Sequence, residues 1–262
     1  MIGKSIQEAF SFALSPKRVA IFFALDLLIL FSLSYFFSSL FSVYQITSGV
    51  ANFLTSLSLF IVVMIFTFFI SFWIQGALID QARYFPKDKP LEESFKYSSS
   101  RYLPLLGAAI LLGIISFIAS IIPFIGFILV VLISLIFFFL QAIIVIDKNG
   151  IIDSFKRSYQ IFMKRGLTVL GAWLASSLIF FVIILVAGIP LLAMLIGTFL
   201  EFIVGSGAPS AQVVPPVTFD IVRSPLFQIS LVIFALGLAF ASVFMIGVQA
   251  RLYINLTKKR QV

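Results

Sequence analysis

The chain contains no cysteine and no histidine, and only 11% of its residues are charged. Without cysteine there is no disulfide, no thiolate nucleophile and no thiolate metal ligand. The missing histidine removes the commonest general base and the commonest metal ligand. The low charge excludes an ordinary soluble domain, where about 25% of residues are charged because the surface needs them. What the chain has instead is 61% hydrophobic residues, 33 Phe among them, and a mean hydropathy of +1.19. A 262-residue chain with that balance belongs in lipid.

A helix needs about 20 apolar residues to cross the hydrocarbon layer. Six runs qualify: about Val19 to Ser42, Leu54 to Leu78, Leu103 to Ile122, Phe127 to Ile146, Leu167 to Gly188 and Leu226 to Val248. Lys17 and Arg18 precede the first run, which is far longer than the ~7–15-residue core of a signal peptide, so it is expected to be a retained span. Pro123-Phe124-Ile125-Gly126 predicts a tight turn between spans three and four. The run from Leu167 continues to Val204, and Gly188 with Pro190 predicts a break that would leave Leu191 to Val204 as a short interfacial or re-entrant helix. A kink in one tilted helix is the alternative. Gly205 to Pro225, rich in Gly, Pro and Ser, reads as a loop.

All but one of the 18 Lys and Arg residues fall in four segments, Lys4 to Arg18, Arg83 to Arg101, Lys148 to Arg165 and Arg251 to Arg260. Lys and Arg near span ends resist translocation, so these segments are expected in the cytoplasm together with both termini. The opposite face would carry Glu201, Asp220 and Arg223. The positive charge is thus explained by orientation, and a nucleic-acid partner is not expected.

The interior of the chain repeats. Glu93-Ser94-Phe95-Lys96-Tyr97-Ser98 returns as Asp153-Ser154-Phe155-Lys156-Arg157-Ser158, and more weakly at the start as Glu8-Ala9-Phe10-Ser11-Phe12-Ala13. Even-numbered spans close on an apolar residue, Gln and a small residue: Ile74-Gln75-Gly76, Leu140-Gln141-Ala142 and Val248-Gln249-Ala250. The expected fold is an all-α integral membrane protein, one polytopic domain over 1–262. Its six transmembrane helices form three tandem units, about 1–88, 89–150 and 151–262, each an amphipathic surface helix followed by a two-span hairpin. In the best copy Ile151, Ile152, Phe155, Tyr159, Phe162 and Met163 share one helical face, with Lys156, Arg157, Gln160 and Lys164 on the polar side. Such a helix lies at a membrane surface with its cations near phosphates.

The stretch from Gln141 to Ala172, with the turn Asp147-Lys148-Asn149-Gly150 and then Ile152-Asp153-Ser154-Phe155-Lys156-Arg157-Ser158-Tyr159, resembles a widespread prokaryotic group. That group comprises the membrane domain of some bacterial glycerophosphoryl diester phosphodiesterases and related uncharacterised six-span families. The resemblance implies a six-helix membrane domain. It does not imply the phosphodiesterase reaction, which belongs to a soluble barrel using His and metal-binding acids. The Pro-x-Asp/Glu-x-x-Lys/Arg motif that the mitochondrial carriers repeat is absent.

Asp26 is the only acid well inside an expected span, roughly 12 Å beyond Arg18 at about 1.5 Å per residue. A central acid costs about 2.5–3.5 kcal/mol on the insertion scale, which the surrounding Phe, Leu and Ile residues offset. It is either a proton or cation site or a structural acid bonded to Gln, Ser or Thr. Gln75, Gln141 and Gln249 would form a ring near the cytoplasmic ends, lining a polar vestibule or joining helices. Lys17, Arg18, Lys96, Arg101, Lys156, Arg157, Lys164 and Arg165 are the expected contacts to anionic lipid headgroups. No catalytic residue, metal site or cofactor is expected. The functional expectation is a non-catalytic, lipid-interacting scaffold or membrane-homeostasis component of a prokaryotic cell membrane. The alternative is a permease or channel using Asp26 and the three Gln residues.

Overall fold

The computed structural model describes residues 1–42, 49–87, 89–123, 125–205 and 224–258. The expected loop after Gly205 with Asp220 and Arg223 lies outside the described residues, as do Asp88, Phe124 of the tight turn, Lys259 and Arg260. The described residues hold no strand; their helices are α1 (Ile2–Ala13), α2 (Pro16–Ser42), α3 (Gly49–Tyr84), α4 (Leu91–Ser120), α5 (Gly126–Ile136), α6 (Leu140–Ile146), α7 (Ile151–Gly205) and α8 (Pro225–Lys258). Six stretches are long and apolar enough to cross a membrane: Pro16–Ser39, Ala51–Tyr84, Leu91–Ser120, Gly126–Ile146, Ile151–Gly197 and Pro225–Thr257. Each overlaps one of the six spans expected from hydropathy, although the expected first and third spans run on to Ser42 and Ile122, past Ser39 and Ser120. The all-α class follows from the solvent: in lipid a backbone must satisfy its own polar groups, and a helix does so within one segment.

Two prolines lie inside helices without ending them. α7 continues through Pro190, so the segment from Leu191 is helical continuation and not a separate short helix. α4 likewise contains Pro104 without ending there. A proline removes one backbone donor. Ending the helix at that point would orphan several groups at once, which is the costlier outcome away from water. The departure in α7 is at Arg165 (φ −142°, ψ 34°), where the basic amphipathic segment meets the apolar run.

The fourth span has a break with no sequence signal. Between α5 and α6, Phe137 and Phe139 leave helical geometry, and the Leu140 amide bonds the Phe137 carbonyl at 3.0 Å in place of the Ile136 carbonyl. The Ser158 hydroxyl donates to that released Ile136 oxygen at 2.8 Å. The turn before α5 is as tight as Pro123 and Gly126 suggest. A Cβ on Gly126 would stand 2.8 Å from the carbonyl oxygens of Ala119 and Ser120, so only glycine fits.

The chain forms two compact units built from interleaved segments. The first comprises Met1–Val19, Phe69–Phe180 and Ser242–Val262. It contains α1, α4, α5 and α6, the start of α2, the C-terminal end of α3, the first part of α7 and the C-terminal part of α8. The second comprises Ala20–Phe68 and Phe181–Ala241. Within it α2 meets α3 through Phe36 stacked on Phe60 (5.4 Å) and a Ser39–Ser56 hydroxyl pair. α7 meets α8 there where Ala187 lies against Gly237.

Candidate functional site

Both buried charged side chains among the described residues, Arg18 and Asp80, lie in the first unit, so the site is built there. Its frame is a set of small-residue faces. Ala9 and Ala13 on α1, Ser94 and Ser98 on α4, and Ser154 and Ser158 on α7 are all 0% exposed. Residues four apart lie one above the other on a helix, so each pair forms a flat strip that lets another backbone come close. α1 uses its strip against Gly247 of α8, whose notional Cβ would stand 3.2 Å from Ala9. α4 uses its strip against Gly76 of α3, and the Ser98 hydroxyl donates to the Trp73 carbonyl at 2.6 Å. α7 uses its strip against the break before α6, through Ser158.

Arginines and acids lock this frame. Arg251 of α8 donates through Nε to Glu8 of α1 at 2.7 Å, and through Nη1 to the carbonyls of Ala82 (3.3 Å) and Phe85 (2.9 Å). Arg18 is only 6% exposed. It donates to Gln81 Oε1 and to the Phe12 carbonyl, both at 3.0 Å, with its guanidinium over the Phe12 ring. Asp80 pairs with Lys89 at 2.6 Å. Asp147 accepts from the Tyr253 hydroxyl and pairs with Arg157 Nε at 2.8 Å. Asn255 donates to Ser5 at 2.9 Å, tying α8 to α1 again. In the turn before α7 it is Lys148, not Asn149 or Gly150, that takes the left-handed conformation (φ 61°), and Arg101 donates to its carbonyl at 3.2 Å.

The expected lipid-contact residues therefore separate by chemistry. Lys17, Lys96, Lys156 and Lys164 are exposed, and none is in an ion pair among the described residues. Arg18 does not join them, because its guanidinium is spent inside the protein. Arg101 and Arg157 are also engaged with protein groups, and Arg165 is half-buried at the departure in α7. The large apolar residues of the first α7 segment point away from the packed strip: Ile152 is 66% exposed, Tyr159 49% and Met163 64%. Going round that helix, the buried serines are followed by half-buried Ile151, Phe155 and Phe162, then the exposed apolar stripe, then Lys156, Gln160 and Lys164.

Of the three glutamines, two meet: Gln141 Nε2 donates to Gln75 Oε1 at 2.8 Å. Gln249 is half-buried and makes no hydrogen bond among the described residues. Asp26 lies in the second unit, and its Oδ2 is shielded from solvent with no hydrogen-bond partner among the described residues. No group of His, Cys, Asp or Glu among the described residues is placed to hold a metal ion.

Sequence reading missed the serine strips, the ion pairs and Tyr253. The strips had a visible signal, since both strong copies of the repeated hexapeptide carry Ser at positions four apart. The ion pairs had none, because Glu8 and Arg251 stand at opposite ends of the chain. Comparison with protein-family models, with curated proteins and with solved structures finds no match for this chain.

Proposed function

We propose that this chain is a non-catalytic, multi-pass protein of a prokaryotic cell membrane whose cytoplasmic surface helices engage anionic lipid headgroups, acting as a lipid-interacting scaffold or membrane-homeostasis component. Both termini are cytoplasmic in this reading, and the three surface helices begin three like-oriented units. Its resemblance to the membrane domain of the phosphodiesterase group fits a membrane module working without the soluble enzyme.

One observation carries the reading. The first α7 segment presents exposed Ile152, Tyr159 and Met163 beside exposed Lys156 and Lys164. A helix with an apolar stripe adjoining a cationic one settles in the interfacial plane, acyl chains against the first and phosphates against the second. The test is mass spectrometry of lipids that co-purify in detergent. Replacing Lys156 and Lys164 by Gln should deplete anionic lipid relative to zwitterionic lipid; unchanged retention refutes the reading. The arginines are left in place because Arg157 also holds Asp147.

A second reading, a permease or channel, rests on Asp26, whose Oδ2 has no hydrogen-bond partner among the described residues. An acid left unsatisfied in an apolar span is costly, and a passing proton or cation is one way to compensate it. Flux into reconstituted vesicles that is lost in Asp26→Asn supports this reading; no flux across a broad panel of ions and small solutes removes it.

A further inference from the structure

The exposed cations of the first unit are mostly of one kind. Lys4, Lys17, Lys87, Lys96, Lys148, Lys156 and Lys164 are exposed, with Arg83 and Arg157 the arginines among them. The guanidinium groups of Arg18, Arg101, Arg157 and Arg251 instead donate to carbonyl oxygens, an amide oxygen, a hydroxyl or carboxylates of the protein itself. The two side chains recognise phosphate differently. An arginine fork matches two oxygens at once and imposes a geometry, whereas an ammonium is a mobile point charge that imposes none.

Placement points the same way. Lys156 and Lys164 border the exposed Ile152, Tyr159 and Met163. Lys96 shares α4 with Leu103, which is 75% exposed, and Lys17 follows the exposed Leu14. Each of these four lysines therefore stands on an outward helix surface beside apolar groups that enter the acyl region. Among the described residues none is held by a partner side chain that would set its angle.

Resting on the lipid reading above, we infer that this belt senses the charge density of the bilayer surface and not headgroup identity. Its partner is an anionic lipid surface as such, with phosphatidylglycerol and phosphatidylserine equivalent at equal charge. Each lysine near an anionic surface contributes roughly five-fold to the preference for it, and the attraction is screened by salt.

The experiment uses the full chain carrying Trp173→Phe, which leaves Trp73 as the one tryptophan, in phosphatidylcholine vesicles containing brominated test lipids, which quench tryptophan on contact. Trp73 reports from the right place, since its indole N–H donates to Ser99 and the Phe95 carbonyl on the helix that bears Lys96. Brominated phosphatidylglycerol and phosphatidylserine should associate within about two-fold of each other and several-fold above phosphatidylcholine. About 1 M salt should bring both towards phosphatidylcholine, as should joint replacement of Lys17, Lys96, Lys156 and Lys164 by Gln. A ten-fold difference between the two anionic lipids at equal charge overturns this inference and leaves the lipid-binding reading standing. No preference for either anionic lipid over phosphatidylcholine overturns both. Salt titration of the protein with these four lysines in place decides between these outcomes even if the fourfold variant fails to fold.

Discussion

Gly76→Ala tests the contact between α3 and α4 on which the serine strips are argued. An alanine Cβ at Gly76 would stand 2.3 Å from the Ser98 hydroxyl and 2.8 Å from Leu105 Cδ1. Leucine's methyl end can swing away, but the serine is held by its bond to the Trp73 carbonyl. Either α4 retreats or Ser98 turns and loses that bond. Overpacking of this kind costs about 1–3 kcal/mol, the lost bond about 0.6 kcal/mol, and the gain in helix propensity returns up to about 1 kcal/mol. The net expectation is destabilisation of about 1–2 kcal/mol, summing these terms. Ser98→Ala alone should cost about 0.6 kcal/mol. The double variant should be no worse than Ser98→Ala, because the clashing oxygen is gone and the remaining Cβ–Cβ approach of 3.3 Å needs only a small shift. Unfolding by denaturing detergent, followed through the emission of Trp73 and Trp173, measures all three. Gly113→Ala on α4, the helix of Ser98, is the control, since a Cβ there meets nothing within 4 Å and should not destabilise. Single-variant effects that simply add, within about 0.5 kcal/mol, would refute the argument that these helices touch through Gly76 and Ser98.

Three further outcomes are expected. Arg251→Lys should be nearly as damaging as Arg251→Gln, at about 2 kcal/mol, because one ammonium cannot reach Glu8 and the carbonyls of Ala82 and Phe85 together; near-native stability of the lysine variant in the same titration would contradict the shared-fork geometry. Tyr253 is fully buried while the Arg157 side chain is 45% exposed, so Tyr253→Phe should cost about 1 kcal/mol and Arg157→Gln no more than about 0.5 kcal/mol; the reverse order would mean the exposed ion pair dominates. The chain's lack of cysteine permits single-cysteine labelling without background: Lys4→Cys, Lys96→Cys and Lys156→Cys should react with an impermeant thiol reagent only from the cytoplasmic side, and labelling from outside at any one sinks the assigned orientation.

The expected site was legible in proportion to how local its causes are. The exposed stripe of the first α7 segment could be read from the spacing of Ile152, Tyr159 and Met163, because a helix converts spacing directly into a face. The fate of the arginines could not. Arg18 and Lys17 are neighbours in sequence, yet one is buried against Gln81 and Phe12 and the other exposed. Pro190 shows the opposite failure: a strong local breaker lost to the cost of opening a helix away from water.

Composition and run length by themselves determined the helical class and the six helices long and apolar enough to cross a membrane, since each segment satisfies its own backbone and needs no distant partner to do so. Which small residues form the packing strips, where span four breaks, and which cations remain available outside were decided only by the tertiary structure. Those outcomes depend on acceptors that other helices deliver. Glu8 meets Arg251, Tyr253 meets Asp147 and Ser158 meets the Ile136 carbonyl only once the chain has folded back on itself.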